Sequence, residues 1–144
     1  MSNRTLTIEH NGVEYGGQVA TIDSTSLGTT DHGVLTGWIN TSWPGGGVGV
    51  GGLVLDKRRD REGRDHTRTG TAYGMDFILR VIETVGVDSW EGLKGQKVIV
   101  LFAGKSFLGS RSVGIAHATD ESKVLIFAEH AAAWRDEIDG GENR

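Results

Sequence analysis

The spacing of apolar residues changes once along this chain, from every second position to about every 3.6, and the change divides the sequence into a β part and a mixed part. Leu6 and Ile8 alternate with Thr5 and Thr7, a period of two that predicts a half-buried strand over residues 4–9. Asn11-Gly12 follows as a hairpin signal, because both central residues of a type I′ turn need positive φ. Val19 to Thr25 predicts another strand, closed by Gly28 to Gly33. Gly33 to Ser42 is β-rich through Val34, Leu35, Trp38 and Ile39, and Val48 to Leu55 reads as a further strand reached through Pro44-Gly45-Gly46-Gly47. Four or five strands are therefore expected before residue 56.

From Asp56 to Arg68 the chain has no aliphatic residue and carries six Lys or Arg against four acids, which predicts a solvated loop or hairpin tip. Beyond it, Met75, Ile78, Leu79, Ile82 and Val85 recur at helical spacing and predict a helix over 71–86 with these residues on its buried face. Thr71 suits its N-cap, Asp76 the positive end of its dipole and Gly86 its C′ position. Asp88 and Glu91 have capping-box spacing for a short turn. Lys97 to Ala103 and Val113 to Ala118 read as strands. Lys123 to Phe127 reads as a last strand merging into the helix-prone stretch Ala128 to Ile138. The expected architecture is α+β: an antiparallel glycine-rich β-sheet region, one amphipathic helix and a smaller β/α C-terminal part. It forms a single ligand-binding domain over 1–138, with a frayed tail at 139–144.

Composition narrows the function. The 144 residues suffice for one core without covalent staples. The absence of cysteine excludes disulfides, thiolate metal sites and a cysteine nucleophile, and points to a reducing compartment. No apolar run has signal-peptide or membrane-spanning length, so a cytoplasmic protein with no membrane partner is expected. A net charge of −4 gives no field that gathers DNA or RNA, so no specific nucleic-acid partner is expected. Glycine is the outlier, at 23 residues against a single proline, and signals tight turns and close backbone approaches.

The run Gly47-Val48-Gly49-Val50-Gly51-Gly52 spells GxGxxG, but it leads into Leu53-Val54-Leu55 with no helix, so it fails as a dinucleotide fingerprint. Glycine at alternate positions instead bares one sheet face for packing, for an oligomer contact or for a flat ligand. Gly104-Lys105-Ser106 has the end of a P-loop without its start, since Ile99 stands where the first glycine belongs. Lys105 and Arg111 still offer charge to a phosphate, the alternative being an ordinary charged turn. In the basic segment the interleaved acids cancel most of the positive charge. Arg68 is the exception, because it stands beside Thr69-Gly70-Thr71 and a helix N-terminus, where backbone N–H groups favour anions. The histidines at 10, 32, 66, 117 and 130 have no metal-motif spacing, and a His117, Asp120 and His130 set is unspecific. Of the four tryptophans, Trp43 beside the glycine run and Trp90 after the helix suit an aromatic platform, against core packing as the alternative. No catalytic set, metal site or cofactor motif emerges.

Three strings stand in a familiar order: Asp31-His32-Gly33 after Ser24-Thr25-Ser26-Leu27-Gly28, then GTAYGMDFI at 70–78 and GVDSWEGLKGQKV at 86–98, with Leu55-Asp56 between the first and second. Together, over roughly residues 22–118, they resemble the bacteriophage Thoeris anti-defence sponges, which sequester a cyclic ADP-ribose-type immune signal without cleaving it. The resemblance implies a compact α+β protomer, a homodimer or higher homo-oligomer with pockets where protomers meet, and a place in the infected bacterial cytoplasm. It implies a non-enzyme whose partner is a cyclic nucleotide-type signalling molecule. Arg68, Tyr73, Trp90, Lys105 and Arg111 are the ligand-binding candidates. The charged segment at 57–68 departs from the family pattern and would alter such a pocket. A phage structural or host protein-interaction domain is the alternative.

Overall fold

The computed structural model describes residues 5–59, 67–104 and 111–136. Their elements are β1 (Thr5–His10), β2 (Val13–Asp31), β3 (Val34–Trp43), β4 (Gly46–Val54), β5 (Asp56–Arg58), β6 (Arg68–Gly70), α1 (Ala72–Val85), a 3₁₀ turn (Glu91–Leu93), β7 (Lys97–Ala103), β8 (Ser112–His117), β9 (Val124–Ile126) and α2 (Phe127–Ala133). Seven strands form one antiparallel sheet in the order β4-β3-β2-β7-β8-β9, with β1 also paired to β2, while β5 and β6 make a separate hairpin. The α+β expectation therefore holds.

Strand β2 organises the sheet and departs most from the sequence reading. It runs 19 residues, where a strand was expected only over Val19 to Thr25. Its first part pairs with β1 on one edge and β7 on the other, and its second part pairs with β3. Gly16-Gly17 interrupts the apolar alternation and hid the first part from pattern reading. A Cβ at Gly17 would lie 2.9 Å from a methyl of Ile99 on the neighbouring strand β7, so glycine is what leaves room for that side chain. The strand ends in a two-residue turn at His32 (φ 58°) and Gly33 (φ 75°), as the β1–β2 hairpin does at Asn11 (φ 51°) and Gly12 (φ 80°). Positive φ at both positions is what a type I′ turn requires.

One face of the sheet, here called inner, carries the main core. Ile22, Ile39, Val50, Val98, Val100, Ile115 and Leu125 pack with Phe77, Val81 and Val85 of α1 and with Leu93 of the 3₁₀ turn. A smaller cluster of Ile99, Leu101, Ala116 and Ile126 lies on the outer face, with Ile8, Tyr15 and Val19 against it.

Helix α1 forms where expected and is capped as expected. Thr71 Oγ1 accepts from Gly74 N at 2.8 Å, Gly86 takes φ 92°, and its N–H reaches Ile82 O. The buried face is only partly the expected one, since Val85 is buried and Ile78 packs against the core. Tyr73, Gly74, Phe77, Val81, Thr84 and Val85 face the sheet, while Met75 and Leu79 are 64% and 48% exposed. Two overlapping stripes have helical spacing in this segment. The one holding Tyr73, Phe77 and Val81 turns inward because Gly74 lets that side press against the Leu55 carbonyl. After the helix, Ser89 Oγ, and not Asp88, accepts from Gly92 N at 3.0 Å to cap the 3₁₀ turn. Helix α2 is assigned to Phe127–Ala133, all but its first residue inside the stretch expected to be helix-prone, and the residues beyond 136 lie outside the described ones.

Candidate functional site

Four of the five residues singled out in the sequence lie in the described structure, and three of those have intramolecular tasks. Arg68 opens β6 opposite Arg58, two register steps from the Asp56–Gly70 pair. Its Nε donates to Asp56 Oδ2 at 3.1 Å and its Nη2 to Asp56 Oδ1 at 2.7 Å. The Asp56 side chain is only 5% exposed. Burial raises its pKa, but the Arg68 hydrogen bonds and charge, with a hydrogen bond involving the Leu35 backbone, more than offset this and hold it below the usual carboxylate value. The same pair keeps the Arg68 guanidinium charged, with its pKa raised. The fork expected to grip a phosphate is thus closed on a carboxylate. At the helix N-terminus beside it the Gly74 N–H is taken by Thr71 Oγ1, which also donates to Leu55 O at 2.7 Å.

Tyr73 is 7% exposed, with its ring centroid 5.3 Å from that of His130, and burial pushes its phenol pKa up. Trp90 is half-buried with its indole over Gly37, where a Cβ would sit 3.5 Å from the ring. Arg111, just before β8, is exposed and forms no ion pair among the described residues. Lys105 lies outside the described residues. His130 of the sequence-level metal set is turned to Asp76, and His117 Nδ1 accepts from the backbone N–H groups of Thr119 and Asp120 at 3.0 and 2.9 Å. Among the described residues no group of three His, Asp or Glu side chains stands placed to hold a metal.

The glycine run explains itself through two tryptophans. A Cβ at Gly49 would lie 3.2 Å from the Trp38 ring, one at Gly52 would overlap it, and one at Gly46 would lie 2.7 Å from Trp43 Nε1. The bared positions are therefore covered by the chain's own indoles, Gly49 and Gly52 by Trp38 on one face and Gly46 by Trp43 on the other. Gly51 (φ 105°) and Gly52 (φ 76°) form a bulge opposite Gly37 and Trp38 that brings the strand under the ring. Trp43 packs back toward the core, whereas Trp38 is half-buried on the outer face.

Around Trp38 the register assembles a polar, nearly uncharged platform. Ser26 pairs with Trp38, and Ser24 with Asn40, two residues along β3. Asn40 Nδ2 donates to Ser24 Oγ at 3.0 Å. Farther along the same face Thr21 pairs with both Ser42 and Lys97, and Lys97 Nζ donates to Thr21 Oγ1 at 2.7 Å. Lys97 has no carboxylate partner among the described residues. An indole backed by glycine, flanked by hydroxyl and amide groups with one ammonium beyond, has the chemistry to stack a planar ring, bond its edge and meet a phosphate. The sequence signal for this was the alternation Trp38, Asn40 on β3 set against alternate glycines on β4. It becomes a site only once the hairpin register is known.

No family model, curated protein or solved structure matches this chain. Among the described residues no helix is long and apolar enough to cross a membrane.

Proposed function

We propose that this protein binds and sequesters a nucleotide-derived signal, a cyclic ADP-ribose isomer or a cyclic oligonucleotide, without cleaving it, and acts as a homo-oligomeric phage anti-defence protein in the host cytoplasm. The observation that carries the reading is Trp38, half-buried on its glycine bed between Ser26 and Asn40, with Lys97 on the same face. A base would stack on the indole, its edge would meet Ser24, Ser26 and Asn40, and the phosphates would lie toward Lys97. Capture of this kind needs stacking, hydrogen bonds and charge, and no nucleophile or general base. The strings that carry the family resemblance supply the frame for this sheet: His32-Gly33 forms a turn, Thr71 and Gly74 seat α1, and Gly86 and Trp90 close it. Arg68 then serves the frame and not the ligand.

Calorimetry with cyclic ADP-ribose isomers and cyclic oligonucleotides tests the proposal, together with recovery of the ligand after heat denaturation. Binding, recovery of intact ligand and a loss of about tenfold or more in Trp38→Leu are expected, since stacking on an aromatic side chain is worth about 1–3 kcal/mol per base. Leucine keeps an apolar cover on the glycines while removing the π face. Lys97→Ala should weaken the same ligand. No nucleotide binding, or a chemically altered ligand, sinks the proposal. A host-protein interaction domain is the second reading, and the exposed Met75 and Leu79 on α1 are what favour it.

A further inference from the structure

A recess of about 190 Å³ lies between β1 and the β8–β9 end of the sheet, away from Trp38. Its apolar wall includes Leu6, Ile99, Ala116 and Val124, and Glu9 and Glu121 border it. Four consecutive residues, Leu6 to Glu9, line it. A sheet face presents only alternate residues, so this recess runs along the edge of β1 and gives access to its backbone. Among the described residues β1 pairs with β2 alone, and its other edge keeps free N–H and C=O groups. The strand carries no lysine, proline or bulge of the kind that blocks edge pairing.

Charge and size define the occupant. Glu9 and Glu121 are exposed and form no ion pair among the described residues. Glu14 stands directly opposite Glu9 in the register, so the β1–β2 hairpin adds a third carboxylate close by. Like charges set across a strand pair repel, and a cation laid beside them relieves the repulsion. The recess has room for one branched aliphatic side chain. We infer that it is a docking site for an extended basic-aliphatic peptide segment. The segment adds to β1 as a further strand, seats an aliphatic side chain against Leu6, Ile99, Ala116 and Val124, and sets Lys or Arg side chains beside Glu9 and Glu121. Main-chain hydrogen bonds give such a strand its affinity, and the side-chain recess and the carboxylates give it selectivity. This surface is independent of the Trp38 platform and stands or falls separately from it.

The test uses the full chain and fluorescently labelled Lys-Val-Lys-Leu-Lys-Val-Lys, read by anisotropy. Three comparisons accompany it: the same peptide N-methylated at alternate backbone positions, the acidic counterpart Glu-Val-Glu-Leu-Glu-Val-Glu, and the Glu9→Gln/Glu121→Gln protein. Both substitutions are at exposed positions and leave the fold intact, which the circular dichroism spectrum checks. Saturable binding of the basic peptide is expected, weakened about tenfold or more by backbone methylation and by the double substitution, because strand addition needs N–H groups and the selectivity needs the carboxylates. Equal binding of the methylated peptide would overturn the inference, because it would show adsorption by charge alone. So would an unchanged affinity in the double variant, or an absence of binding. Sedimentation showing a dimer that Thr7→Pro abolishes and that the peptide fails to disrupt would assign the edge to a second copy, and would also overturn it.

Discussion

His130 on α2 lies with its Nε2 2.8 Å from Oδ2 of Asp76 on α1, and this contact joins the two helices beside the ring contacts of Phe77 with Phe127 and His130. No residue of α2 is fully buried, and Phe127, Ala131 and Trp134 only lean on the core. Trp134 Nε1 donates to the same Asp76 oxygen at 3.3 Å, and Arg80 Nε stands 3.5 Å from the other. With the ionised carboxylate as acceptor, Nε2 carries the proton and donates. His130 Nδ1 is buried with no hydrogen-bond partner among the described residues. A second tie, His10 Nε2 to Glu129 Oε1 at 3.1 Å, holds α2 to the β1–β2 hairpin.

The Asp76 cluster makes stability depend on acid pH. Partial burial raises the carboxyl pKa, but the hydrogen bonds from His130 and Trp134 and the charge of Arg80 outweigh it, and the net shift is downward. A depressed folded value adds stability that is fully present above the unfolded value and disappears as pH falls through the folded one. Asp76→Asn should therefore lower stability by about 1–2 kcal/mol at neutral pH, from hydrogen bonds to a charged group. Urea midpoints of the variant and the parent should converge below the carboxylate range. A gap that persists there would mean the loss is one of packing and not of charge.

Arg68 is expected to matter for folding. Arg68→Ala leaves the nearly buried Asp56 carboxylate without its partner and should cost about 2 kcal/mol or more. Replacing both partners, as Asp56→Leu/Arg68→Met, removes the orphaned charge and should recover part of that loss. Thermal melts of the two variants decide it: a single variant as stable as the parent would show that the ion pair contributes nothing.

Gly74 sets two effects against each other. In a helix interior alanine is favoured over glycine by about 1 kcal/mol. Here the added Cβ would run into the Leu55 carbonyl, a backbone group in the strand connection that cannot swing aside. Overpacking of this kind costs about 1–3 kcal/mol or more. Gly74→Ala should thus destabilise the protein on balance, by about 1–2 kcal/mol in denaturant titration. A more stable variant would show that α1 can shift outward freely.

The two stripes of α1 should respond differently to substitution. Phe77→Ala, at 2% exposure, should cost about 3–5 kcal/mol. Leu79→Gln, at 48% exposure, should change the monomer's stability by about 1 kcal/mol or less. Chemical denaturation at low and high protein concentration separates monomer packing from self-association: a Leu79→Gln loss that grows with concentration would place this stripe in a homo-oligomer contact.

The sequence by itself determined the local events. Asn11-Gly12 turns the chain because asparagine and glycine tolerate positive φ, Thr71 caps α1 with its own hydroxyl, and Gly86 ends it. Each of these is settled within a few residues, so pattern reading finds it. Only the tertiary structure decided which stripe of α1 turns inward, what covers the glycines of β4 and what Arg68 holds. Those outcomes depend on groups brought together by pairing and packing. Met75 and Leu79 have the right spacing but lose to Tyr73, Phe77 and Val81 because Leu55 presses on Gly74. Trp38 finds Gly49 and Gly52 because β4 folds back beside β3. Arg68 meets Asp56 because β5 and β6 close a hairpin across the charged segment. Spacing along a chain fixes which side chains share a face, and the identity of the facing surface follows from the whole fold.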